Sequence, residues 1–256
     1  MIGLFDGLHL GHMSAVNELL RCEGKKIVYT FNSATVFTKG ARKLLMTDCE
    51  KREMLLSLGV DEVISEDFND IKDMSGWEFL KSVILARLKA SKIICGEDFR
   101  FGKNAHAGAA ELKKYCKELG IKLSLVPYMC LDGEPISTTR IRALLESGNI
   151  FEANRLLGRD YSVPSIAPQA EKCEKGHSLN SLSLSVNPTL LLPPPGKYFA
   201  KVMLRKRAVP ATVYITTDNP NRAEAVFSGS DSACLQESLE EIAGLEIQLR
   251  FAERLS

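Results

Sequence analysis

Apolar positions recur along this chain with two different periods, and the change falls near residue 160. Before it, short β-rich runs alternate with segments whose apolar residues repeat at helical spacing. A helix is expected just after residue 12, with Met13, Val16, Leu19 and Leu20 on one face. Residues 26–31 read as a strand. Thr47 and Glu50 form a capping box that opens a helix carrying Met54, Leu55 and Leu58, and Gly59 ends it. A strand is expected at 61–64. Ser75 and Glu78 form a second capping box, before a helix with Phe79, Val83, Ile84 and Leu88. A strand at 92–95, a helix at 111–119 closed by Gly120, and a strand marked by Ile121, Leu123 and Leu125 complete the series. Strands and helices joined by short connections imply a parallel sheet covered on both faces. Ligands in such sheets sit at the carboxyl ends of strands, beside a switch in strand order.

Beyond residue 160 the period shortens to two, as in half-buried strands, at 198–204 and 245–251. Pro164, Pro168 and the run Pro193, Pro194, Pro195 are expected to break regular structure. The reading is an α/β domain over 1–160 followed by a smaller, mostly β, barrel-like domain over 161–256.

Composition narrows the partners. The 256 residues are 45% hydrophobic and 25% charged, with 33 Lys and Arg against 32 Asp and Glu, a net charge of +1. That balance carries no electrostatic footprint for nucleic acid or an anionic membrane. No apolar run approaches a membrane span, and no basic and apolar leader opens the chain. Seven scattered cysteines, an odd number without a Cys-x-x-Cys pair, suit reduced thiols in a cytoplasmic protein.

Three groups of residues carry candidate chemistry. The first runs from Gly3 through Phe5, Asp6, Gly7, His9 and Gly11 to His12, directly before a helix. Glycine permits close approach of a phosphate, and a helix N-terminus with imidazole donors favours developing negative charge. A bare strand-to-helix turn is the bland alternative, and a zinc site lacks a third ligand at matching spacing. The second group is Ser137, Thr138, Thr139, Arg140 and Arg142 at the start of another helix. Its hydroxyls could simply cap the helix, or with Arg140 they could cradle a triphosphate. Arg142 reads as a surface residue. The third is the 96–102 loop after the strand ending at Cys95, where Glu97, Asp98 and Arg100 alternate with Phe99 and Phe101. Either aromatic ring could wall a planar ligand or anchor an ordinary loop.

At these three motifs, and at residues 153–159, the sequence resembles the bacterial bifunctional riboflavin kinase/FAD synthetase family, in order from Gly3 to Tyr161. The resemblance implies a Rossmann-like nucleotidyltransferase fold and an FMN adenylyltransferase that joins ATP to FMN, giving FAD and pyrophosphate. It implies that His9 and His12 bind ATP phosphates and stabilise the transition state. Phe5, Gly7, Gly11 and Thr139 would complete the ATP site. Ser137, Thr138 and Arg140 would hold the β and γ phosphates, and Arg140 joins the histidines as catalytic. Asp98, Phe99 and Phe101 would shape the nucleotide and flavin pocket. Mg²⁺ would accompany ATP, with no protein ligand identified.

The chain departs from the family pattern at three places. Only Met1 and Ile2 precede Gly3, which implies a start upstream or a clipped first strand. Asn32, Ser33, Ala34 and Thr35 stand where the family reads x-Pro-His-Pro. In the C-terminal region the family's Gly-Phe-Pro-Thr-Ala-Asn kinase signature aligns with residues 180–185, where only Ser183 could imitate the Thr, and residues 170–175 lack glycine. Glu224 does resemble the kinase's catalytic base. The expectation is a FAD synthetase with a degenerate riboflavin kinase module. The alternatives are a working bifunctional enzyme, a nucleotidyltransferase with another acceptor, and a non-catalytic flavin or nucleotide sensor.

Overall fold

The computed structural model describes residues 1–36, 42–167, 181–204, 207–228 and 246–255. The chain divides into two compact units, one of Met1–Arg42 with Thr47–Ser137, the other of Lys43–Met46 with Thr138–Ser256.

In the first unit, β1 (Ile27–Phe31) pairs in parallel with β2 (Glu62–Glu66), β3 (Lys92–Gly96) in parallel with β4 (Lys122–Val126), and the short β5 (Cys130–Leu131) antiparallel with β6 (Glu134–Pro135). Met1 to Gly3 joins the two parallel pairs. Tyr29 N donates to Met1 O at 2.8 Å, Gly3 N donates to Tyr29 O at 3.2 Å, and Ile2 N donates to Ile94 O at 2.9 Å. Three residues thus act as the central strand, with β1 and β2 on one side and β3 and β4 on the other. The chain leaves the centre in one direction and later returns to build the other, so the switch in strand order lies beside the loop that follows Gly3.

Helices α1 (Leu10–Leu20), α2 (Ser33–Val36), α3 (Asp48–Ser57), α4 (Phe68–Ile71) and α6 (Ala109–Leu119) fall between these strands. Both capping boxes form: Thr47 with Glu50 opens α3, and Ser75 with Glu78 opens α5 (Gly76–Glu78). The helix expected to continue regularly from α5 instead widens into a π-helix over Phe79–Arg87, with Leu88 N donating to Val83 O at 2.9 Å. The wider turn keeps Phe79, Val83 and Ile84 together on the buried face, where they meet Tyr29, Ile93 and Leu112 in one core. Packing of that face outweighs the regular helical bonding pattern.

In the second unit, α7 (Thr138–Glu146) and α8 (Ile150–Leu157) precede a closed six-stranded barrel, ordered β10-β11-β8-β7-β12-β9. Its strands are β7 (Tyr161–Ile166), β8 (Ser181–Val186), β9 (Gly196–Leu204), β10 (Arg207–Ile215), β11 (Arg222–Val226) and β12 (Glu246–Leu255). Residues 138–160 therefore pack with the barrel. Asn154 Nδ2 donates to Phe251 O at 2.9 Å while its Oδ1 accepts from Tyr161 N at 2.7 Å, which ties α8 to β7 and β12. Pro164 does not break the structure as expected. It lies inside β7, which pairs with β8 only at Ser165 and Ile166, so its missing N–H costs no ladder bond there. In β11, Ala223 and Ala225 are buried, so Glu224 faces outward, opposite Ser183 of β8 and Tyr214 of β10. The alignment positions 170–180 lie outside the described residues.

Candidate functional site

The loop from Gly3 to His9 is strained and held by burial. Phe5 and Leu8 have φ of 53° and 37°, and Gly7 has 83°. A non-glycine residue in the left-handed region costs about 1–3 kcal/mol and persists only where its surroundings fix it. Here the Phe5 and Leu8 side chains are 5% and 0% exposed. Burying each contributes about 1.5–3 kcal/mol, which offsets the strain.

The loop delivers two imidazoles to the N-terminus of α1. His9 is the N-cap, and its Nδ1 accepts a 3.3 Å hydrogen bond from His12 N. With Nδ1 an acceptor, the neutral ring carries its proton on Nε2. The rings of His9 and His12 stack at 3.6 Å between centroids, 17° apart, and Phe5 meets His12 edge-on at 5.3 Å. A Cβ on Gly11 would stand 3.1 Å from both Cε1 and Nδ1 of His9, and 3.5 Å from Ile136 O. Glycine at this position therefore lets the His9 ring lie flat against the first turn. By helix geometry the amides of Leu10 and Gly11 have no carbonyl within α1 to donate to. Amides at a helix start, the helix dipole and imidazole donors are features that favour an anion.

Beneath the loop lies a polar cluster that periodicity alone did not single out. Leu4 O accepts from Thr30 Oγ1 at 3.1 Å and from Lys51 Nζ at 3.2 Å. Lys51, only 2% exposed, also donates to Phe31 O at 3.5 Å and pairs with Asp48 Oδ1 at 2.8 Å. Asp48 in turn accepts from Ser33 N at 2.9 Å and Ser33 Oγ at 2.7 Å. Burial works to raise the Asp48 carboxyl, but the hydrogen bonds from Lys51 and Ser33 outweigh it and hold it below its ordinary value. A signal was present in the sequence: Lys51, Leu55 and Leu58 share one helical face, so a lysine sits on an apolar stripe.

The 96–102 loop follows β3 at the same carboxyl edge of the sheet. Asp98 folds back on Gly96, where a Cβ would lie 2.7 Å from its Oδ1. Phe99 and Phe101 stack at 5.6 Å, 7° apart; Phe101 is buried in the core and Phe99 is partly buried against it. Arg100 holds the loop, donating to Ala105 O from Nε at 2.9 Å and from Nη2 at 2.8 Å. Tyr128, just past β4, is exposed, and its N donates to Glu97 Oε1 at 3.2 Å. Burial, then the charge and hydrogen bond of Asp98, push the Tyr128 hydroxyl up. Burial pushes the Cys95 thiol up to about 12, so it stays protonated at neutral pH and is no nucleophile.

Ser137 closes the first unit, while Thr138, Thr139 and Arg140 open α7 of the second. Thr139 is exposed, and Ser137, Thr138 and Arg140 are half-buried. Arg142 is not a surface residue: it is 8% exposed and donates to Lys43 O. Two residues beyond Arg140, it points to the packed side of α7.

A parallel sheet with a His-x-Gly-His turn at its switch point, followed by an antiparallel barrel, defines a nucleotidyltransferase-type domain joined to a barrel domain. The model of the FAD synthetase family matches residues 1–140, and the chain belongs to that family. A FAD synthetase of Listeria monocytogenes is 29% identical over 66% of this chain and 72% of its own length. A bifunctional riboflavin kinase/FMN adenylyltransferase of the same organism is 28% identical, covering 78% of this chain and 66% of its own. The chloroplastic FAD synthetase 2 of Arabidopsis thaliana is 25% identical, over 85% and 64%. The chain thus spans about two thirds of the length of these curated relatives. A crystal structure described as a macrolide-efflux protein from Streptococcus pneumoniae superposes with a TM-score of 0.80, covering 99% of this chain and 84% of that one. At 22% identity it shows a shared fold alone.

Proposed function

We propose that this chain transfers the adenylyl group of ATP to FMN, and that it does not phosphorylate riboflavin. The observation that carries the first part is the stacked His9–His12 pair at the N-terminus of α1, with Gly11 leaving room for close approach. An FMN phosphate oxygen attacks the α-phosphorus of ATP; that P–O bond forms as the bond to pyrophosphate breaks. The attacking oxygen is already anionic, so the protein's task is to position two anions and absorb charge. His9 donates from Nε2 and His12 lies against it, both on the phosphate undergoing transfer. Ser137, Thr138 and Arg140 hold the departing β and γ phosphates. Asp98, Phe99 and Phe101 shape the flavin side, with Phe101 acting from the core. Mg²⁺ accompanying ATP would neutralise charge on its phosphates. Among the described residues no three His, Cys, Asp or Glu side chains converge as a metal site, so no protein ligand is assigned to it.

The second part rests on residues 181–185. They form a regular stretch of β8, with Leu182 and Leu184 buried and the serines on the outer face, and they retain neither the proline nor the asparagine of the kinase signature. Glu224 faces Ser183 across the ladder, and that pairing, with the proline and asparagine replaced, supports a base that has lost its nucleotide-binding partners. The counter-reading is a working kinase, favoured by the name of the bifunctional relative. The functional modules are proposed to run over 1–160 and 161–256, in a cytoplasmic protein.

Incubating the protein with ATP, Mg²⁺ and either FMN or riboflavin, with the products separated by chromatography, tests both parts. FAD should appear from FMN and nothing from riboflavin. No FAD from FMN would overturn the first part, and FMN or FAD from riboflavin the second.

A further inference from the structure

Lys51 is the least exposed charged side chain among the described residues, and its ammonium has three protons to place. Three oxygens take them: Asp48 Oδ1 at 2.8 Å, Leu4 O at 3.2 Å and Phe31 O at 3.5 Å. A buried charge is tolerated only when it is paired and hydrogen-bonded, so this set of partners is stringent. Of the three, Leu4 O has a consequence for chemistry. It is the carbonyl of the peptide leading into Phe5, the first left-handed residue of the histidine loop, and Phe5 meets the His12 ring at 5.3 Å. Thr30 Oγ1 donates to the same carbonyl at 3.1 Å, from β1. Two donors from separate elements therefore fix the orientation of the Leu4–Phe5 peptide. Without them that peptide could turn and release the strained Phe5.

We propose that Lys51 is a positioning residue for AMP transfer: it pins Leu4 O, holds Phe5 in its left-handed conformation, and through the Phe5 ring sets the placement of His12. This rests on the adenylyltransferase reading above. Asp48 belongs to the same device, because it neutralises Lys51. Asp48 also anchors Ser33, so the Asn32 to Thr35 segment at the end of β1 is tied to the loop through two side chains. A displacement of about 1 Å at a reacting group costs on the order of a hundredfold in rate.

The test uses the full chain with Lys51→Met, which keeps most of the side-chain length and removes the ammonium. The kcat for FAD formation should fall about 10- to 100-fold, with KM for ATP and FMN changed less than about threefold, because the groundwork of binding stays and the alignment goes. A second readout needs no activity. The chain has four histidines, His9, His12, His106 and His177, so their imidazole proton resonances can be assigned by substitution. The His12 signal, shifted by the neighbouring Phe5 and His9 rings, should move towards that of a solvated imidazole in Lys51→Met. Leu55→Ala, on the same helix and fully buried, is the control for simple destabilisation and should leave both readouts alone. Wild-type kcat together with an unmoved His12 signal in Lys51→Met would overturn the proposal, as would Leu55→Ala reproducing both changes. If Lys51→Met does not fold, Thr30→Val removes the other donor to Leu4 O and is judged by the same two readouts. If the unsubstituted protein makes no FAD, the adenylyltransferase reading fails, and the His12 signal alone then decides the role of Lys51.

Discussion

Substituting Gly11 by alanine should separate activity from stability. The added methyl would stand 3.1 Å from Cε1 and Nδ1 of His9. Carbon atoms rest comfortably at about 3.5–4.0 Å, so the ring would have to retreat by about 0.4–0.9 Å. It has little freedom to do so: His9 is 5% exposed, stacked on His12 at 3.6 Å, and bonded through Nδ1 to His12 N. A shift of that size at His9, in its proposed role of stabilising the transition state, should lower kcat by about 10- to 100-fold. Helix stability pulls the other way, since alanine is favoured over glycine by up to about 1 kcal/mol inside a helix. Thermal unfolding followed by circular dichroism should therefore show an unchanged or slightly raised Tm alongside slow FAD formation. A Gly11→Ala protein with kcat within about threefold of the original would refute the argument that the close approach of Gly11 seats His9.

Three further outcomes are expected. His12→Ala should lower the rate of transfer about a hundredfold or more, equivalent to roughly 2.7–4 kcal/mol, while Arg140→Ala should chiefly weaken ATP binding; single-turnover kinetics and equilibrium titration with ATP separate the two effects. Arg142→Ala should instead lower the Tm, because the buried guanidinium that reaches Lys43 O is lost, and an unchanged unfolding transition would contradict that role. The depressed Asp48 carboxyl contributes stability that is fully present above the ordinary aspartate value near 3.8 and is lost as the pH falls through its lower folded-state value. Acid unfolding should accordingly be less steep in Asp48→Asn over that range, and identical acid curves would show that Asp48 is not linked to folding.

The sequence by itself determined many of the elements and the residue types that the loops between them carry. Capping boxes at Thr47 and Ser75, the closing Gly120 and the alternating strands are local signals, set by one residue's hydrogen bonds or by side-chain period, and they appear where the pattern placed them. His9, Gly11 and His12 were legible for the same reason, since a helix start and a nearby glycine are neighbours in sequence. What tertiary structure decided is everything that depends on contacts between distant residues. No period marks Met1 to Gly3 as a strand, and only the resemblance implied one there; bonds to Tyr29 and Ile94 make it the centre of the sheet and put the switch point beside the histidines. The π-helix over Phe79–Arg87 follows from a core assembled from several elements and not from its own propensities. Pro164 sits in a strand because the partner that would need its N–H begins one residue later. Arg142 reads as a surface residue and Lys51 as a lysine on an apolar stripe; the carbonyls of Lys43, Leu4 and Phe31, remote in sequence, together with Asp48, make it favourable to bury them.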